Sequence, residues 1–172
     1  MLAPHLTAPL LGEAVAAAWA IEDVWDRSRA LAALAPRLAE LGHPAEALEA
    51  ARAIRNEGYW SPALAARSQA LAALAPHLTA PLLGEALAAA RAIGYERGPS
   101  EALAALAPRL AELPPATLSP LWSKTIRLLA TRTRRNLLRD LIALVPLLTA
   151  LGGAEAVAET ACAIQDVGRW WP

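Results

Sequence analysis

The sequence predicts an all-α protein, a right-handed solenoid of about four helix pairs behind one leading helix. Three observations carry that expectation. The segment LAPHLTAPLLGEA at 2–14 recurs unchanged at 74–86, and ALAALAPRLAEL at 30–41 recurs at 102–113 with the same 72-residue offset. Two separate blocks at one offset mean tandem duplication, which in helical units builds a stack of neighbours. Finally, apolar residues follow helical spacing: Leu103, Leu106 and Leu110 lie at i, i+3, i+7, and Leu83, Leu87, Ala90 and Ile93 at i, i+4, i+7, i+10. No stretch alternates apolar and polar residues as a half-buried strand does.

Taken in order, the pattern places a lone helix near 8–24. First helices of four pairs follow near 28–41, 61–78, 99–112 and 133–150, and second helices near 44–57, 80–95, 119–131 and 153–167. Helix starts are marked by His43-Pro44, Thr79-Ala80-Pro81 and Ser119-Pro120, where a capping residue precedes proline in the first turn. Gly42 and Gly152-Gly153 mark turns between helices. The stretch from Ile54 to Ala70 is seven residues longer than that from Ile93 to Ala102. Seven residues are about two turns, so the insert around Arg55–Gln69 reads as a helix extension capped at Ser61-Pro62. The chain forms one repeat domain over 1–172, with units near 1–27, 28–60, 61–98, 99–132 and 133–172.

Prolines in an L-(A/V)-P context recur at Pro4, Pro36, Pro76, Pro108 and Pro146. Inside a first helix each removes one backbone hydrogen bond and crowds the carbonyl of residue i−4, namely Ala32, Ala72, Ala104 and Ile142. A bend at each proline is expected, letting the helix curve around the stack. An LxxLxPxL first helix followed by an amphipathic second one resembles HEAT repeats.

Composition agrees. Hydrophobic residues make up 56% of the chain with no Phe, so small side chains must let helices approach closely. No apolar run reaches the ~18 uninterrupted residues of a membrane span, and no basic leader with a cleavage site is present. The single Cys162 excludes an internal disulfide framework and fits a reducing cytoplasm.

Catalytic signals are missing, and the expectation is a non-enzyme without cofactor. No Gly-rich phosphate loop occurs, and three scattered histidines with one cysteine do not make a metal site. Glu13, Glu46 and Glu85 share a column near the starts of second helices, where the macrodipole favours a carboxylate.

Two features point to binding. Residues 123–139 hold Lys124, Arg127, Arg132, Arg134, Arg135 and Arg139 with no acid before Asp140, a patch that would suit nucleic-acid phosphates. Against this, the chain balances 16 basic and 16 acidic residues, and no aromatic interleaves the run, so a solvated or intersubunit face is expected. The second feature is a variable column two residues before each second-helix isoleucine: Trp19, Arg52, Arg91 and Cys162. Repeat proteins hold framework columns fixed and vary the binding face, which makes Trp19, Arg52 and Arg91 candidates, with Arg55, Tyr59, Trp60 and Tyr95 beside them.

The ends differ. The opening residues match only the tail of a first helix, which would leave an uncapped apolar edge open to self-association. At the other end, Gly168 is expected to end the last helix so that Trp170 and Trp171 fold back as a cap. The repeat ALAALAPHL…PLLGEALAAARAI and the closing LLRDLIALVPLLTALGGAEAVAETACAIQDVGRWWP resemble the C-terminal helical repeats of bacterial STAND-type signalling NTPases. That resemblance implies a sensor arm that recognises a trigger, most simply a protein partner, and implies no ATPase activity for a chain lacking a Walker sequence. A HEAT-like nucleic-acid-binding module using the 124–139 arginines is the alternative.

Overall fold

The computed structural model describes residues 8–54, 62–93 and 98–170. Among them no strand occurs, and the chain is all-helical. The helices are α1 (Ala8–Trp19), α2 (Val24–Glu40), α3 (Pro44–Ala53), α4 (Pro62–Leu74), α5 (Ala80–Arg91), α6 (Gly98–Ala111), α7 (Pro115–Leu129), α8 (Arg134–Ala143) and α9 (Val145–Trp170). A 3-10 turn, Ala75–His77, continues α4.

Leucines decide the packing. Leu31, Leu34 and Leu38 of α2 are buried, as are Leu71, Leu74 and Leu78 in and just after α4, Leu103, Leu106 and Leu110 of α6, and Leu141, Leu144 and Leu148 at α8 and α9. They occupy the same positions around Pro36, Pro76, Pro108 and Pro146, so one apolar stripe is used four times. Accordingly α2 packs on α4, α4 on α6, and α6 on α8 and α9. A second set interlocks between them: Ala47, Leu48, Ala50 and Ala51 of α3 with Ile54 just after it match Ala86, Leu87, Ala89 and Ala90 of α5 with Ile93 just after it, all buried. Here α3 touches α5 and α5 touches α7. Alanine at so many contact positions allows close approach. A Cβ added at Gly84 of α5 would already lie 3.7 Å from Leu121 of α7.

The repeated proline acts differently in each setting. Pro36 and Pro108 stay inside α2 and α6. At Pro76 the α-helix tightens into the 3-10 turn, and before Pro146 it stops: Leu144 caps α8, its N–H donating back to Asp140 O, and α9 starts afresh. The expected first helix over 133–150 is therefore two helices. None of the four prolines or their i−4 partners is buried, so water can reach the unmatched carbonyl. That placement explains Ile142, 74% exposed in a column that is otherwise alanine.

Other boundaries also move. Helix α1 stops at Trp19 rather than 24, because Asp23 starts α2 early: its Oδ1 accepts the Asp26 N–H at 2.8 Å. Helices α3 and α5 end at Ala53 and Arg91, short of 57 and 95. The Ser119-Pro120 cap is not used; α7 begins at Pro115, and Ser119 Oγ instead donates to Pro115 O at 2.8 Å. Gly42, at φ 88°, ends the turn after α2 as expected. Gly153 takes φ 65° and ψ −160°, a conformation open to glycine, and breaks α9 into 145–151 and 154–170. Gly168 does not end the last helix, which runs on to Trp170; a lone glycine weakens a helix by about 1 kcal/mol without stopping it. The Trp170–Trp171 cap and the Ser61 cap of the insert lie outside the described side chains.

By length and hydropathy Val145–Val167 could cross a membrane. The Gly152-Gly153 break interrupts it, and the straight part, 154–170, reaches about 25 Å against the roughly 30 Å of a hydrocarbon core.

Replacing fully buried Leu71 by alanine is expected to cost about 2–5 kcal/mol in chemical denaturation, while Ile142→Ala, at an exposed position, should stay within about 0.5 kcal/mol.

Candidate functional site

Arginines gather where one helix pair meets the next. Arg52 and Arg91 each sit in the last turn of their helix, α3 and α5, where the negative dipole end favours a cation. Each reaches forward into the next second helix. Arg52 Nη1 meets Glu85 Oε2 of α5 at 2.8 Å, and Arg91 Nη1 donates to Thr125 Oγ1 of α7 at 2.9 Å. Thr125 is fully buried and passes the chain on, its hydroxyl donating to Leu121 O at 2.6 Å. The column read as a varying binding face thus also ties neighbours together.

A third guanidinium joins them. Arg67 of α4 donates from Nη2 to Ala89 O of α5 at 3.2 Å. Burial pulls its pKa below the ordinary arginine value, and the nearby positive charge of Arg52 pulls in the same direction. Burial likewise lowers Arg91. Both remain cations at neutral pH. The Nε atoms of Arg67 and Arg91 are buried and without a protein acceptor. Like charges held this close favour an anionic group nearby. Arg67 was not among the sequence candidates, although its signal was present: Arg27-Ser28 and Arg67-Ser68 stand at the same distance before ALAALAP. Arg27 uses the position differently, donating to Ile21 O at 2.7 Å.

The remaining candidates of that column separate. Trp19 is 46% exposed at the end of α1, and Cys162 is exposed on α9. Arg55, Tyr59, Trp60 and Tyr95 lie outside the described residues. The glutamate column is only partly a matter of helix ends. Glu46 stands in the first turn of α3, but α1 and α5 start at Ala8 and Ala80, where the pattern places them, and Glu13 and Glu85 lie beyond those first turns. For Glu85 the Arg52 ion pair takes the place of the dipole.

The basic stretch does not form one patch. Lys124 and Arg127 are exposed on α7, Arg134 and Arg135 are exposed in the first turn of α8, and Arg139 is partly buried. Arg132 turns inward to Asp140, which is fully buried: Nε and Oδ2 are 3.2 Å apart, an electrostatic contact not aligned as a hydrogen bond. Ser100 of α6 donates to the other carboxylate oxygen at 2.7 Å. This acid therefore pins α8 to α6.

Behind these arginines lies a cleft of about 400 Å³ between α8 and the second half of α9. Leu137, Leu138, Thr160, Ala163, Ile164 and Val167 form its walls, and Arg132 and Arg134 stand at its rim. Among the described residues no group of three or more His, Cys, Asp or Glu is placed to hold a metal ion.

No family model, curated protein or solved structure matches this chain.

Asp140→Ala removes the buried carboxylate that Arg132 and Ser100 share and is expected to cost about 3–5 kcal/mol. The pair replacement Arg132→Met with Asp140→Leu should recover most of that loss, because apolar side chains fill the site without a charge. Thermal and urea unfolding of the single and double variants checks both.

Proposed function

We propose that this protein is a non-catalytic α-solenoid scaffold for protein recognition, serving as a sensor or regulatory arm of the kind found in STAND-type signalling NTPases. The observation that carries the reading is the contrast between two sets of positions. Framework columns such as Leu31, Leu71 and Leu103 are the same residue and fully buried, whereas the column Trp19, Arg52, Arg91 and Cys162 varies between three residue types and reaches the surface. Nearest-neighbour packing of α2, α4 and α6 on one side and α3, α5 and α7 on the other supports a stack of helix pairs.

The row Arg52, Arg67 and Arg91 sets the chemistry of the partner: an acidic segment of a protein running across the ends of the second helices. Arginine suits such contacts because its planar fork binds carboxylates in pairs. The test is a partner captured from the source cells, identified, and then titrated against purified protein. Arg67→Gln with Arg91→Gln should raise Kd at least tenfold, about 1.4 kcal/mol, with the helical spectrum unchanged. An unchanged Kd overturns the assignment of this face.

A nucleic-acid reading rests on the exposed cations Lys124, Arg127, Arg134 and Arg135. The protein is expected to show no useful affinity for random duplex DNA at physiological salt. Tight binding, with a salt slope that falls by about 1 for each arginine removed, would replace the scaffold reading with this one.

A further inference from the structure

The two ends of the row of helices are complementary. At one end α1 repeats the sequence of α5, yet its surroundings differ. In α5 the neighbouring α3 covers the face, so Ala89 is buried, Leu82 packs against the core and Glu85 receives Arg52. The matching residues of α1 are open: Leu10 is 51% exposed, Ala17 is exposed, and no described cation reaches Glu13. Trp19 extends this open apolar edge. Residues 8–26 carry Glu13, Glu22, Asp23 and Asp26 and no lysine or arginine. Asp23 caps α2 and Asp26 stands 3.9 Å from Arg29, which leaves Glu13 and Glu22 as the carboxylates open to a partner.

At the other end stands the α8–α9 cleft, apolar inside and rimmed by arginine. Arg134 and Arg135 are exposed in the first turn of α8, and Arg134 lines the cleft, so an acidic edge arriving there meets positive charge. Glu155, Glu159 and Asp166 are exposed on the second half of α9, so the acidic edge must approach from the α8 side.

We propose that a second copy of this chain occupies the cleft. The α1 edge of one copy, with Leu10 and Trp19 as anchors, seats against Leu137, Leu138, Ile164 and Val167 of the next, and Glu13 and Glu22 face Arg134 and Arg135. The contact repeats between molecules the logic that joins α3 to α5 inside one, with an apolar helix face and a carboxylate–arginine pair. Because head and tail are different surfaces, the contact is heterologous and propagates into a ring or a filament rather than stopping at a dimer. It stands apart from the partner face at Arg52, Arg67 and Arg91, so a protein that stays monomeric removes this proposal and leaves that one intact.

The test is mass by light scattering and sedimentation from about 1 to about 500 µM. The wild type should grow in mass with concentration, and less so as salt rises. Two blocked forms decide the geometry: a head variant with Leu10→Lys and Glu13→Lys, and a tail variant with Arg134→Ala, Arg135→Ala and Val167→Lys, whose altered surfaces do not attract each other. Each alone should raise the association Kd at least tenfold. Mixed, they should form a one-to-one pair that grows no further, because one head and one tail remain intact, and that pairing also shows that both variants fold. A monomeric wild type overturns the proposal. Self-association untouched by one of the variants, or a mixture that fails to pair, overturns it as well.

Discussion

Everything in this structure depends on one register. Leu31, Leu34 and Leu38 must be buried by the helix that carries Leu71, Leu74 and Leu78, and that helix by the one carrying Leu103, Leu106 and Leu110. The buried side chains join into one apolar cluster from Leu11 to Leu147, to which successive helices contribute the same leucine positions. Alanine between the leucines keeps the helices close and makes the fit depend on the leucine positions rather than on large side chains. Pro36, Pro76, Pro108 and Pro146 are tolerated within this scheme because none of them is buried, so water can reach the carbonyl that loses its hydrogen bond.

Polar groups then fix what apolar packing leaves adjustable. Leucine stripes can slide by a turn at modest cost, but Arg52 to Glu85, Arg91 to Thr125 and Asp140 between Ser100 and Arg132 each specify one alignment of neighbouring pairs. Asp140 is the most demanding of these, since a buried carboxylate is costly unless both oxygens are served. The same arginines give the surface its chemistry: Arg52 and Arg91, which tie neighbouring helices together, also present guanidinium groups at the surface.

Much of the fold was legible in the sequence, because duplication prints its own period. Helix class, order and the buried leucine columns follow from spacing alone. The boundaries that shifted did so through local chemistry that spacing does not weigh. Asp23 captured an N–H and moved the start of α2; Pro115 offered an earlier helix start than Pro120; and one proline motif gave a kept helix, a 3-10 turn and a break in three contexts. Less of the candidate site was legible. The repeat column pointed to Arg52 and Arg91, but not to Arg67, whose role comes from an adjacent helix, nor to the inward turn of Arg132. The cleft could not be read, since it depends on how Gly152-Gly153 redirects the end of α9.

The central claim is that stability passes from neighbour to neighbour along the row of helices. Amide hydrogen exchange measured helix by helix under native conditions tests it most directly. The account predicts slowest exchange in α4 and α6, with protection falling toward α1 at one end and residues 154–170 at the other. Equal protection in α1, α6 and the second half of α9, lost together in one global opening, would contradict it.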